Sequence, residues 1–179
     1  MKQHTITTYE FDELSPEAQR RAIDTLWDIN VAYDWWDCIY EDAETVGIKI
    51  TSFDLYYHYC RGEFIENARY TANKILQYHG ETCETYQTAK VFLDTLNRFL
   101  EAADKDEYGE LAYLSDEQQV EEMELEFLRA ILEDYRMLLQ KEYDYQTSDE
   151  AIIETIRANE YEFTENGELY ILERGRVDS

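Results

Sequence analysis

Between residues 115 and 143 apolar side chains return every three or four positions, at Val120, Met123, Phe127, Ile131, Tyr135 and Leu138, with Leu128, Leu132 and Leu139 widening the stripe. That period belongs to a helix with one face in a core. Ser115, Asp116, Glu117 and Gln118 form a capping-box pattern ahead of it, so the longest helix of the chain is expected to open there and reach about Tyr143. Other elements must cover its apolar face.

Glycine and proline mark where those elements change. Residues 3–11 (QHTITTYEF) are β-branched and aromatic, which suits an opening strand. Ser15, Pro16 and Glu17 supply an N-cap, a first-turn proline and an acid at the positive end of a helix. Its apolar spacing runs to Asn30, and a second helical stretch covers residues 31–46 before Gly47. Residues 48–65, with Arg61 and Gly62 in their middle, read as a β-hairpin. Helices follow over residues 67–79 and 82–103, then an acidic, glycine-broken loop over 104–114. Ser148 caps a last helix to about Asn159, and Asn166-Gly167 predicts a closing hairpin with a type I′ turn. The expected fold is α+β: a mostly helical single domain over residues 1–179, with a small antiparallel sheet made of an N-terminal strand, a central hairpin and a C-terminal hairpin.

The charge on this scaffold is extreme. The chain holds 41 acids and 16 bases, a formal charge of −25, yet 44% of its residues are apolar and 15% aromatic. So rich a supply of core-forming side chains excludes a disordered acidic tail. The surplus is uneven: residues 1–60 carry 12 acids and 4 bases, residues 61–100 carry 5 of each, and residues 101–179 carry 24 acids and 7 bases. No cluster of lysine or arginine interrupts it, so direct contact with nucleic acid or an anionic membrane is not expected, and the favoured partner is basic. Three cysteines, an odd number, and no apolar signal segment after Met1 argue for a reducing cytoplasm as the expected setting.

The stretch AYDWWDCIYEDAE concentrates the question. Asp34, Asp37, Glu41 and Glu44 step by three, four and three residues, one ridge of the second predicted helix, with Asp42 beside it. Glu117, Glu121 and Glu124 form a similar row on the long helix, with Glu122 and Glu126 next to them. Such rows are either wet helix faces or arrays that imitate the phosphates of a nucleic acid; like charges at i,i+4 weaken a helix, and few lysines relieve them here. Trp35, Trp36 and Tyr40 divide between core packing and an exposed anchor for a partner.

Other chemistries are weaker. His58, Cys60, His79 and Cys83 offer zinc-type ligands, but their spacing lacks the tight pairs of structural zinc sites. No Glu-x-x-His pair, calcium loop, phosphate-binding glycine loop or nucleophile elbow occurs. No catalytic residue, metal or cofactor is expected.

FDELSPEAQRRAI (11–23), DINVAYDWWDCIYED (28–42) and SDEAIIETIRANEYEFTENG (148–167) resemble a family of small acidic proteins carried by bacteriophages and prophages. The match covers both ends and about half of the chain; members often carry a glycine-rich aromatic segment after the second helix, where this chain has YYHYCRGEFI. The resemblance implies a mobile-element setting, in which such proteins are often inhibitors of host defence. Anti-CRISPR and antirestriction proteins that imitate DNA are similar to this chain in composition. The expectation is therefore a phage-encoded, non-enzymatic anti-CRISPR inhibitor that acts in the cytoplasm of the bacterial host. Its partner would be a basic nucleic-acid-binding protein, either a CRISPR–Cas effector or a restriction enzyme. The alternatives are an antirestriction protein, or an oligomeric phage accessory or scaffold protein that binds another protein through its neutral aromatic middle; homodimer formation stays open.

Overall fold

The computed structural model describes residues 7–106 and 108–171. In chain order its elements are β1 (Tyr9–Glu10), α1 (Pro16–Thr25), α2 (Asp37–Thr45), β2 (Ile48–Asp54), β3 (Tyr59–Phe64), α3 (Ala68–Tyr78), α4 (Glu84–Ala102), α5 (Leu114–Gln146), α6 (Asp149–Ala158) and β4 (Glu162–Phe163), with a 3-10 turn at Phe11–Glu13. This is an α+β fold, predominantly helical. Among the described residues no helix is long and apolar enough to cross a membrane.

The residues fall into two compact units, one formed by the chain up to residue 35 and from 142 onward, the other by residues 36–141. In the first, the Ser15 hydroxyl accepts from the Ala18 amide and opens α1, and the Ser148 hydroxyl accepts from the Ala151 amide and opens α6. Their apolar faces meet in a core of Phe11, Leu14, Ala18, Ala22, Ile23, Ile152, Ile156 and Phe163. Phe11 meets Phe163 edge to face at 6.3 Å, beneath the antiparallel pairing of β1 with β4. Arg20 bridges Asp24 and Asp149, and Arg157 reaches Asp12.

In the second unit, the antiparallel pair β2 and β3 is covered by helices. Phe127 of α5 stacks on Phe92 of α4 at 4.3 Å and 7°, and on Phe64 of β3 at 5.7 Å and 20°. Each such ring pair adds about 0.5–1.5 kcal/mol beyond the area it buries. Val46, Ile48, Ile75, Ile131 and Tyr135, each fully buried, complete this core.

Several boundaries differ from the sequence expectations. The opening strand is reduced to Tyr9–Glu10, and its predicted start, residues 3–6, lies outside the described residues. α1 ends at Thr25 rather than Asn30, and α2 begins at Asp37 rather than near residue 31. Asn30 supplies the reason: its amide donates to the Gln146 carbonyl and its side-chain oxygen accepts from the Thr155 hydroxyl, pinning the chain in turns. α5 already runs from Leu114, so Ser115 lies inside the first turn instead of capping it.

The strands form two separate two-stranded sheets rather than one. At the C-terminal turn Thr164 accepts from Gly167 and donates to Glu168, and only Gly167 takes a left-handed φ, of 83°. Type I′ needs two such residues; this is the three-residue loop with glycine at the bulge. A Cβ at Gly167 would overlap the Ala18 carbonyl.

The central hairpin turns at residues 55–58, with His58 at φ 53°, rather than at Arg61-Gly62. Gly62 instead sits within β3 opposite Ile50, at a bulge, where an added Cβ would lie 2.6 Å from the Lys49 carbonyl oxygen and 2.9 Å from Leu132 Cδ2. It is glycine because α5 and the neighbouring strand press on it from two sides. Gly62→Ala should therefore lower unfolding free energy by about 1–3 kcal/mol in urea titrations, and an unchanged midpoint would show that the strand yields.

Candidate functional site

α2 is short, and its two faces differ in kind. Ala43 is fully buried, and Ile39 and Tyr40 pack against the core of the second unit. Trp36 meets Phe53 of β2 edge to face at 5.5 Å, and Tyr40 meets the same ring at 6.2 Å. The aromatics of this stretch thus seat the helix on the strand, half-buried. Trp35, which belongs to the first unit, packs on Tyr143 at 5.6 Å. Burial, and then the neighbouring Cys60, push the Tyr40 hydroxyl above its usual pKa.

Flanking the packed face are Asp37, Glu41 and Glu44, all exposed. Their spacing of four and three residues sets them on one ridge that spans about 10 Å. Among the described residues none of the three forms an ion pair, whereas Arg20, Lys49, Arg136 and Arg157 are each engaged by an acid. Asp34, expected on the same ridge, is exposed but precedes the helix, so helical geometry does not align it with the others.

Asp42 is one residue further on, and that rotation of about 100° changes its role. Its Oδ2 accepts from the Tyr135 hydroxyl at 2.8 Å and lies 3.4 Å from His79 Nε2, while His79 Nδ1 is 2.7 Å from Thr85 Oγ1. The His79 imidazole, and then the Tyr135 hydroxyl, hold the Asp42 carboxyl below its ordinary value, against the opposing effect of burial. Burial and the Asp42 charge push the Tyr135 hydroxyl far upward. Asp42, whose side chain is still 48% exposed, ties α2 to α5 and to the segment between α3 and α4.

The acids of α5 are not one row. Glu117, Glu121, Glu122 and Glu126 are exposed, but Glu124 is half-buried, its carboxyl pushed up first by burial and then by Glu121, with Arg69 of α3 acting in the opposite sense. Glu126 lines a cleft against α4. Glu124 and Glu126 thus face different neighbours. Further along, Glu133 is taken by Arg136, and Asp134 accepts from Thr88 at 2.6 Å.

The hairpin tip that follows the strand beneath α2 adds what the sequence reading missed. Tyr56 and Tyr57 are 82% and 72% exposed and meet edge to face at 4.9 Å. The turn is braced by the Tyr57 amide donating to Asp54 Oδ1 at 2.8 Å. Rigid exposed tyrosines suit a protein interface. A turn at Arg61-Gly62 puts these residues in a strand; the Asp54 to Tyr57 spacing of a side-chain-capped turn is the signal that locates them.

Among the described residues no group of three or more histidine, cysteine, aspartate or glutamate side chains is arranged to hold a metal ion. His58 stands at the hairpin tip and His79 is committed to Asp42 and Thr85. Burial, and then Glu133, push the Cys60 thiol up to about 11. No family model, curated protein or solved structure matches this chain.

Asp42→Ala removes the acceptor of a buried Tyr135 hydroxyl, so the variant should unfold about 1–3 kcal/mol more easily in urea near neutral pH. Because folding depresses the Asp42 pKa, its contribution is complete above the ordinary carboxyl value of about 4 and is lost as pH falls through the native value. The two proteins should converge in acid. A stability gap that stays constant down to about pH 2 would rule out this role.

Proposed function

We propose that this chain is a non-enzymatic inhibitor that binds a basic, nucleic-acid-holding protein through the outer ridge of α2, with the tyrosines of the hairpin tip as apolar anchors. The observation that carries the reading is the division within α2. Trp36 and Tyr40 pack on Phe53 and Asp42 accepts from Tyr135, while Asp37, Glu41 and Glu44 are exposed and, among the described residues, in no ion pair. A surface that left its charge unpaired for no purpose would weaken the helix by a few tenths of a kcal/mol per like-charged pair. A partner lined with lysine and arginine relieves that repulsion and replaces phosphates with carboxylates.

The resemblance to small acidic phage proteins makes the partner a bacterial defence nuclease, of the CRISPR effector type first and a restriction enzyme second. Attraction of this kind accelerates encounter and fades with ionic strength, because the Debye length falls from about 10 Å at 0.1 M salt to about 3 Å at 1 M. Affinity then rests on a few buried aromatic contacts.

The test uses purified CRISPR effector complexes and restriction enzymes, with DNA binding measured in the presence and absence of the full chain. Inhibition is expected for at least one of them, weakening as salt rises. The combined variant Asp37→Lys, Glu41→Lys and Glu44→Lys should lose it while retaining the parent's circular dichroism. If the reversed protein still blocks DNA binding, the α2 ridge is not the binding face.

A further inference from the structure

α4 and α5 leave an open cleft of about 400 Å³ along their junction, remote in sequence from the α2 ridge. Its apolar lining is Val91, Phe92, Met123, Phe127 and Ala130, with the stacked Phe92 and Phe127 rings among them. Val91 is 64% exposed, an aliphatic side chain standing in water at the edge of a ready-made apolar surface. Cavities of this size commonly receive ligand groups.

The one charged residue among the cleft's described lining is acidic. That residue is Glu126, and Thr88, also in the lining, donates to Asp134 at 2.6 Å. Asp134 in turn feels the charge of Glu84 at the start of α4, and burial and these neighbours outweigh the Thr88 hydrogen bond to push its carboxyl up. No lysine or arginine is among the lining residues described. Glu126 and Asp134 are eight positions apart on α5, about 12 Å, close to the distance spanned by apolar anchors at i, i+4 and i+7 of a docked helix.

We propose that this cleft takes the apolar face of an amphipathic helix from a partner protein, with lysine or arginine flanking its aliphatic anchors and meeting Glu126 and Asp134. Eight of the nine lining residues are uncharged, so recognition is chiefly apolar, with the carboxylates setting the sign and register of the guest. It is a second binding surface and does not rest on the reading of α2.

The probe is a synthetic helical peptide with leucines at i, i+3, i+4 and i+7 and lysines elsewhere, titrated into the full chain at 0.15 M salt. Its companions are a glutamate counterpart and a scrambled peptide of identical composition. The lysine peptide should bind, and should shift the methyl resonances of Val91 and Met123. Ala130→Trp fills the cleft from an exposed helix position without altering charge and should weaken binding about tenfold. Val91→Lys should do the same by placing the guest's charge in the host. Equal affinity for the scrambled peptide, undiminished binding by Ala130→Trp with native circular dichroism, or no binding at all would overturn the proposal.

Discussion

Phe127 stands between Phe64 and Phe92, and the second unit depends on that stack. One ring comes from the near-neutral hairpin, one from the near-neutral α4 and one from α5, which alone carries ten acids against three bases. Self-repulsion of this kind opposes compaction, and only dense, non-polar contact between the elements can offset it. The same stack lies in the α4–α5 cleft, so the contact that closes the core also creates the apolar surface left open beside it.

The acids divide into those the fold uses and those it leaves outside. Asp42 receives the hydroxyl of a fully buried tyrosine, Asp134 receives that of Thr88, and Glu133 is held by Arg136. Asp37, Glu41 and Glu44 have no such engagement among the described residues. Glu41 and Asp42 are adjacent in sequence and chemically almost the same, yet a rotation of about 100° sends one to solvent and the other to Tyr135. Negative charge in this chain is therefore both an internal fastening and an outward display.

Helix starts were readable wherever a local hydrogen bond defines them, as at Ser15 and Ser148, and the apolar stripe of α5 named Phe127, Ile131, Leu132, Tyr135 and Leu139, which are buried, along with Leu138, which is 38% exposed. The misplaced features share a different cause. Asn30 breaks the expected second helix through bonds to Gln146 and Thr155, more than a hundred residues away. Gly62 resembled a turn residue but is needed for a close approach by Lys49 and Leu132. Placing the turn there hid Tyr56 and Tyr57, the exposed aromatics of the hairpin tip.

The sequence by itself determined the helical periods, the caps at Ser15 and Ser148, the α+β class and the surplus of carboxylates, because each follows from composition or from groups a few residues apart. Only the tertiary structure decided which carboxylates stay free, that Glu124 and Glu126 face different neighbours, and that α4 and α5 part to leave a cleft. Those outcomes depend on which distant side chains arrive beside each helix, and no local pattern encodes such arrivals.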